Sequence, residues 1–200
     1  MNTTWTRRRW LNAMLTSGTV LAFARPGPAQ TQTQAQAQVP AEAAPADAKL
    51  PERRLELFNT HTNETVSVVF KRGDEYNAAA LAALRNVLRD HRNGQSHDMD
   101  AGLYDQLSDL AAAAACEPHY EIISGYRSPE SNDKMSSLPG SGVAKKSLHM
   151  QGRAMDVRLR HCSCETLRDL AIAAKRGGVG YYQRSNFVHI DTGAFRTWVG

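Results

Sequence analysis

The sequence predicts an α+β domain built on a mainly antiparallel sheet packed with helices. Apolar and polar residues alternate at 55–57 and 66–70, and again at 153–159 and 187–191, as in strands with one buried face. Leucines recur at helical spacing between these stretches, and the links between the later strands are of hairpin length.

Taken from the N-terminus, residues 1–29 read as an export signal. A charged stretch ends at Arg9, an apolar run extends from Trp10 to Ala24, and small residues at Ala22, Ala24 and Ala29 could precede a cleavage point. The run is too short and too rich in Thr, Ser and Gly to span a bilayer comfortably, so no stable membrane insertion is expected after signal removal. Thr6-Arg7-Arg8-Arg9-Trp10-Leu11-Asn12 resembles the twin-arginine signal, with Trp10 in the usual Phe place and Asn12 where Lys is common. The resemblance implies export of the folded chain to the periplasm; an ordinary secretory signal is the alternative.

Of the 200 residues, 42% are hydrophobic and 22% charged, which excludes collagenous, coiled-coil and wholly disordered chains. The net charge of +4 comes from Arg7, Arg8, Arg9 and Arg25; without them Lys and Arg number 20 against 20 Asp and Glu. The basicity belongs to the export signal, so no nucleic-acid partner is expected. Residues 30–51, rich in Ala, Gln, Thr and Pro with no aromatic, form a disordered linker, and residues 52–200 form the folded domain.

Within that domain, Leu55, Leu57, Val66, Val68 and Phe70 flank a turn at Thr60-His61-Thr62-Asn63 and predict a hairpin. Leu81, Leu84 and Leu88 mark one helix, and Leu103, Leu107, Leu110 and Ala111 a second. Residues 120–125 read as a strand. Leu167, Leu170, Ala171 and Ala174 mark a third helix, which Gly177-Gly178 would end. In 153–159 the apolar Met155, Val157 and Leu159 alternate with Asp156 and Arg158; in 187–191 Val188 and Ile190 alternate with His189 and Asp191. If the aliphatic sets face the core, Asp156, His189 and Asp191 share the opposite face. Cys116, Cys162 and Cys164 suit one bridge, from Cys116 to either of the others. His161-Cys162-Ser163-Cys164 lacks the second ligand pair that a structural zinc requires.

His149 stands just before Gly152, Asp156 follows on a strand, and His189 lies on a later strand. Two neutral imidazoles and a carboxylate are a set that zinc uses with its fourth position open, and the open position suits hydrolysis. Ser124-Gly125-Tyr126-Arg127-Ser128-Pro129, Ser147-Leu148-His149, Gly152-Arg153-Ala154-Met155-Asp156, Gly178-Val179-Gly180-Tyr181-Tyr182 and the 187–193 string resemble the zinc D-alanyl-D-alanine peptidase superfamily, in its MepK-type murein endopeptidase branch. The resemblance covers nearly all of 52–200. It implies a hedgehog and D-Ala-D-Ala peptidase-like fold, Zn2+ held by His149, Asp156 and His189, and a substrate in peptidoglycan cross-link peptides. The bond cut would join D-alanine to diaminopimelate, or two diaminopimelates.

Arg127 follows a predicted strand, where its guanidinium could meet a substrate carboxylate or the developing oxyanion. Other branches carry the proton acceptor three residues before the last zinc histidine, or a His two before it; here those positions are Asn186 and Phe187. Asp191, two residues beyond His189 on its strand, is the substitute, as a general base or as a carboxylate that orients an imidazole. The remaining histidines, His61, His91, His97, His119 and His161, read as surface residues. The alternatives to an endopeptidase are a D-alanyl-D-alanine carboxypeptidase and a zinc-bearing wall-binding module without turnover.

Overall fold

The computed structural model describes residues 50–200, so the export-signal residues and the linker through residue 49 lie outside the described residues. β1 (Glu52–Asn59) and β2 (Thr65–Arg72) form the expected hairpin, with Leu55 opposite Val68 and Leu57 opposite Val66. The Asn59 side chain accepts from the backbone N–H of His61 and Thr62, and Asn63 takes φ 57°, which together reverse the chain. A two-residue strand, β3 (Glu75–Tyr76), adds to the β2 edge.

Helices α1 (Ala78–Val87) and α2 (Ala101–Ala113) follow, capped by Asn77 and Asp100, whose side chains accept from Ala80 N and Gly102 N. Then come β4 (His119–Ser124), a helix α3 (Pro129–Ser136) and a 3-10 turn at Leu148–Gln151. They are followed by β5 (Ala154–Leu159), α4 (Cys164–Ala174), β6 (Gly178–Tyr182), β7 (Phe187–Asp191) and β8 (Arg196–Val199). The eight strands make one sheet in the order β3-β2-β1-β4-β5-β7-β6-β8. Five pairings are antiparallel and two, β1 with β4 and β6 with β8, are parallel. The sheet is thus mainly antiparallel, as expected for the α+β class.

The core lies between this sheet and α1, α2 and α4. Leu84 and Leu88 from α1 and its cap, Leu103 and Leu107 from α2, and Leu167 from α4 join Leu55, Leu57, Met155, Val157, Val188 and Ile190, all 1% exposed or less. Each such side chain contributes about 1.5–3 kcal/mol of transfer free energy. Because strands alternate, burying Met155, Val157, Val188 and Ile190 on the helix side sends Asp156 and His189 to the other side. A bulge in β4 continues this logic: Ile122 pairs with Val157 but Ser124 with Asp156, so the extra residue turns Ser124 toward the Asp156 face.

Several local features differ from expectation. α4 ends at Lys175, which takes the left-handed conformation itself (φ 52°), and the pair Gly177-Gly178 instead opens β6. A Cβ on Gly177 would lie 1.7 Å from the Asp191 carbonyl oxygen, so these glycines serve close strand approach rather than helix termination. α3 begins at Ser128-Pro129, where Ser128 accepts from Ser131 N; its polar composition hides it from an apolar-periodicity search. The structure records no bridge among the three cysteines: Cys164 is buried in the core, whereas the Cys116 and Cys162 thiols, one of the two expected pairings, lie in contact.

Asp90 ties the loop after α1 to α3. Its fully buried carboxylate accepts from Ser128 N (2.9 Å), Ser128 Oγ (2.8 Å) and Arg92 N (3.1 Å). Burial alone would raise its pKa, but hydrogen bonds from Ser131, Ser128 and Arg92 outweigh burial and hold it at about 2. A folded value below the unfolded one contributes stability that is complete above about pH 4 and lost as pH falls through about 2. Asp90→Asn is therefore expected to cost about 1–3 kcal/mol at neutral pH. It should also flatten the acid-side fall in stability, measured by urea unfolding at a series of pH values.

Candidate metal centre

The 3-10 turn that carries His149 is built by its flanking residues. Ser147 caps it, its side chain accepting from His149 N, and Gly152 closes it at φ 65°. A Cβ on Gly152 would lie 2.2 Å from the Asp98 carbonyl oxygen, so glycine is required there both by conformation and by space. Asp100 N donates to Gly152 O, and Thr192 Oγ1 donates to Asp100 Oδ2 at 2.6 Å, which binds this turn to the end of β7.

His149 Nδ1 lies 2.7 Å from the Gly125 carbonyl oxygen. A carbonyl only accepts, so Nδ1 carries the proton and Nε2 presents its lone pair. That Nε2 is 3.3 Å from Asp156 Oδ1 and 3.3 Å from His189 Nδ1. His189 is held in the opposite tautomer: its Nε2 donates to Asp191 Oδ2 (3.1 Å), leaving Nδ1 to face Asp156 Oδ1 at 2.8 Å. Asp156 and His189 are direct partners across the β5–β7 pairing, which fixes their separation. All three side chains are buried, and their candidate ligand atoms lie within 4.8 Å of one another.

Three lone-pair atoms aimed at one point, each imidazole donating its only proton outward, form a set that a divalent cation satisfies. Two nitrogens and one carboxylate oxygen suit zinc in its catalytic form. His149, Asp156 and His189 thus fit a metal by the chemistry of the donor set. The Asp156 carboxyl is held well below the usual range: burial raises it, and the two imidazoles outweigh burial. The His189 pKa is pushed up despite its burial, because the Asp156 and Asp191 carboxylates accept hydrogen bonds from its ring.

Asp191 stands behind His189 rather than in front of it. It is fully buried, does not line the cleft, and accepts from Gly178 N (2.8 Å), Gly193 N (2.8 Å), Arg196 Nη2 (2.6 Å) and His189 Nε2. Burial pushes its pKa up, but those donors outweigh burial and hold it well below the ordinary carboxylate value. Arg127 lies in the cleft, with Nη1 3.3 Å from Asn132 Oδ1, Nη2 3.4 Å from Ser124 Oγ and Nη2 4.0 Å from Asp156 Oδ2. Arg153 and Arg158, the obvious alternative partners of Asp156, are engaged elsewhere, by Thr192 and by Glu121 with Asn186 O.

A cleft of about 550 Å³ opens over the three residues. β8 supplies part of its wall: Trp198 lies 5.1 Å from the His189 ring and donates through Nε1 to the Tyr182 hydroxyl at 3.1 Å. Sequence reasoning missed Arg196, Trp198 and Tyr182. The signal was Gly178 and Gly180, two apart on one face of β6, where added Cβ atoms would meet Asp191 and Trp198 at 2.4 Å. Of the five histidines assigned to the surface, His61, His97 and His161 are exposed, whereas His91 and His119 are half-buried. His61 lines the cleft and stacks on half-buried His91 at 3.9 Å, and burial pushes the His91 pKa down to about 4. Asn186 sits exposed in the β6–β7 turn with φ 50°, and Phe187 stacks on Tyr182.

An inward-facing two-histidine, one-carboxylate set in an open cleft, with a buried arginine alongside, is the arrangement that metal-dependent hydrolases use. The chain belongs to the family described as peptidoglycan L,D-endopeptidase MepK, whose model matches residues 47–198. Relatives named peptidoglycan L,D-endopeptidase MepK from Escherichia coli (strain K12) and from Shigella flexneri are each 42% identical over 146 residues, covering 73% of this chain and 80% of theirs. A Haemophilus influenzae relative is 36% identical over 152 residues, 75% of this chain and 81% of its own. No solved structure matches the chain.

The Gly125 carbonyl that fixes the His149 tautomer depends on a close approach, because a Cβ on Gly125 would lie 2.5 Å from the Leu88 carbonyl oxygen. Gly125→Ala is expected to destabilise the fold by about 1–3 kcal/mol. It should also weaken metal affinity by about 10-fold to 100-fold, the range for lost support of a ligand, read by competition with a chromogenic chelator.

Proposed function

We propose that the chain is a zinc-dependent peptidoglycan endopeptidase that hydrolyses cross-link peptides in the periplasm, with His149, Asp156 and His189 as zinc ligands. The observation that carries this reading is the convergence of His149 Nε2, His189 Nδ1 and Asp156 Oδ1 in an open cleft, in a chain of this family. The L,D specificity in the relatives' name favours the bond between two diaminopimelates, whose carbonyl belongs to an L centre and whose nitrogen belongs to a D centre.

Bound zinc supplies Lewis-acid polarisation of the scissile carbonyl and acidifies a water. The protein's own groups do the rest. Gly125 O and Asp191 fix the orientation of the two imidazoles, so neither ring must rotate before it can ligate. Arg127, which lines the cleft beside Asp156, meets a substrate carboxylate or the developing oxyanion. Asp191 acts as the orienting group of His189 rather than as the proton acceptor: four donors hold its carboxylate, and no face of it lines the cleft.

Purified protein incubated with intact muropeptide dimers is expected to yield monomers, with chelation stopping the reaction and zinc restoring it. Loss of a terminal alanine alone would make it a carboxypeptidase, and binding without cleavage would make it a wall-binding module. His149→Ala, Asp156→Ala and His189→Ala are each expected to abolish turnover and stoichiometric zinc while retaining the far-UV circular dichroism of the parent, since a core of this size folds without a metal.

Asp191→Asn separates orienting from proton transfer. The orienting role predicts a loss of zinc affinity of about 10-fold to 100-fold, with much of the turnover recovered at saturating zinc. A base would instead keep its zinc affinity and lose turnover about 100-fold to 10,000-fold at saturation.

The export route proposed for residues 1–29 is the twin-arginine one, supported by the paired arginines and by the advantage of loading metal into a folded domain. Arg7→Lys with Arg8→Lys is expected to trap precursor in the cytoplasm, seen by fractionation; normal periplasmic accumulation would overturn the route.

A further inference from the structure

We propose that Arg92 and Arg127 together form a carboxylate subsite in the cleft, which receives the free carboxylate on the carbon that bears the scissile nitrogen. The proposal rests on the reading of the site as a diaminopimelate cross-link peptidase, and it names the group by which such a substrate is chosen.

The first observation is an unmet donor. Arg127 is 6% exposed, yet its Nε has no hydrogen-bond partner, and its two Nη contacts, at 3.3 and 3.4 Å, are long for a charged donor. A guanidinium removed from water without full pairing is costly, and native proteins rarely leave one so. Arg127 lines the cleft, where its two Nη groups make only these long contacts to neutral oxygens.

The second observation is a second guanidinium on the same cleft. Arg92, in the loop between α1 and α2, lines the cavity with a side chain about one-third exposed. Arg92 Nη1 forms an ion pair with Asp90 Oδ1 at 3.6 Å, a separation too long for a hydrogen bond. That carboxylate is fully buried and already accepts from Ser128 N, Ser128 Oγ and the Arg92 backbone. The Arg92 guanidinium is therefore held at the cleft by an ion pair that leaves its hydrogen-bond donors for a ligand. The two arginines also act on each other: burial lowers the Arg127 pKa, Asp156 opposes that, and the Arg92 charge lowers it further.

A count of charge along the wall points to the ligand. Arg92, Arg127, Lys146 and Arg196 line the cleft, against the single carboxylate of Asp156, whose Oδ1 faces the two imidazoles. Arg196 is committed to Asp191, and Lys146 is an exposed amine on a loop. The two arginine forks remain, and planar guanidinium pairs match a carboxylate in both geometry and charge. In a cross-link through diaminopimelate, the D centre that donates the scissile nitrogen also bears a free carboxylate. That anion lies one carbon from the bond to be cut, so seating it between the arginines would place the scissile carbonyl over His149, Asp156 and His189. The pair would thus select for a free acid at this position and against its amide.

The test compares a muropeptide dimer carrying that carboxylate as the free acid with the same dimer amidated there. Binding is measured by titration calorimetry on the full chain with its metal chelated, so that no turnover intervenes. The free-acid dimer is expected to bind about 10-fold to 100-fold more tightly, the range for charge-assisted hydrogen bonds. Arg92→Gln should bring the ratio to within about threefold of unity, and Arg92→Lys, which keeps the charge without the fork, should recover part of it. Lys175→Gln, which removes a positive charge from the end of α4, should keep the parental ratio. Equal binding of the two dimers, binding of neither, or an unchanged ratio in Arg92→Gln would overturn the subsite. Absence of cleavage by the zinc-loaded protein would count against the peptidase reading alone, because the binding ratio is obtained without catalysis.

Discussion

Three electron-pair donors held within hydrogen-bond distance of one another repel unless a cation or a proton lies between them, and the architecture is organised around that constraint. His149 Nε2, His189 Nδ1 and Asp156 Oδ1 are at 2.8–3.3 Å from each other. Holding them there requires that the outer nitrogen of each ring be fixed, which Gly125 O and Asp191 do from opposite sides. It also requires a rigid separation between the carboxylate and one ring. The β5–β7 ladder provides this, because Asp156 and His189 are cross-strand partners whose neighbours Met155, Val157, Val188 and Ile190 are locked into the core. Any slip of register by one residue would exchange the ligands for aliphatic side chains, so core packing and site geometry are enforced by the same pairing.

The supporting parts approach so closely that several positions have no room for a side chain. Gly125 lies against the Leu88 carbonyl, Gly152 against that of Asp98, and Gly177 against that of Asp191. Gly178 leaves space for the Asp191–Arg196 pair, and Gly180 for the Trp198 indole. These contacts link α1, the loop before α2, β6 and β8 to the three ligand residues. The site is therefore the meeting point of most elements of the domain rather than a feature of one loop, which is how a constellation stays within the tolerance that catalysis demands.

The strands that carry Asp156 and His189 were legible in the sequence because period-two alternation writes burial directly into residue type. The hairpin and the shared face of Asp156 and His189 followed from the same rule, and the three leucine-marked helices from the 3.6-residue period. What surrounds the ligands was less legible, for a physical reason. Asp191 is held by the N–H groups of Gly178 and Gly193, and a backbone donor is the same whatever the residue. The role of Asp191 therefore depends on distances that no spacing encodes, and an adjacent carboxylate on the same strand reads equally as base or as orienter. Strand β8 escaped because only four residues, mostly exposed, pair in parallel at the sheet edge, leaving little alternation to detect. Cys116 with Cys162 or Cys164 was a pairing drawn from compartment and spacing, and the burial of Cys164 within the core answers to packing instead.

Charge accounting explains why a second buried carboxylate belongs in this site. Asp156 and Asp191 bring two negative charges into a region from which water is largely excluded, and both imidazoles are neutral when they ligate. Arg196 offsets Asp191 by direct contact, whereas Arg127 pairs with Asp156 only at 4.0 Å, without a hydrogen bond. Asp191 is thereby neutralised within the wall, and its remaining influence is to anchor the His189 proton. Asp156 keeps its charge for a divalent ion, which it can only partly balance. The surplus that remains is positive and faces the cleft, where Arg92 and Arg127 add to it. A substrate whose anionic group lies beside the bond to be broken would be bound and oriented by that surplus, so the electrostatics around the three candidate ligands would also bear on which peptide the cleft accepts.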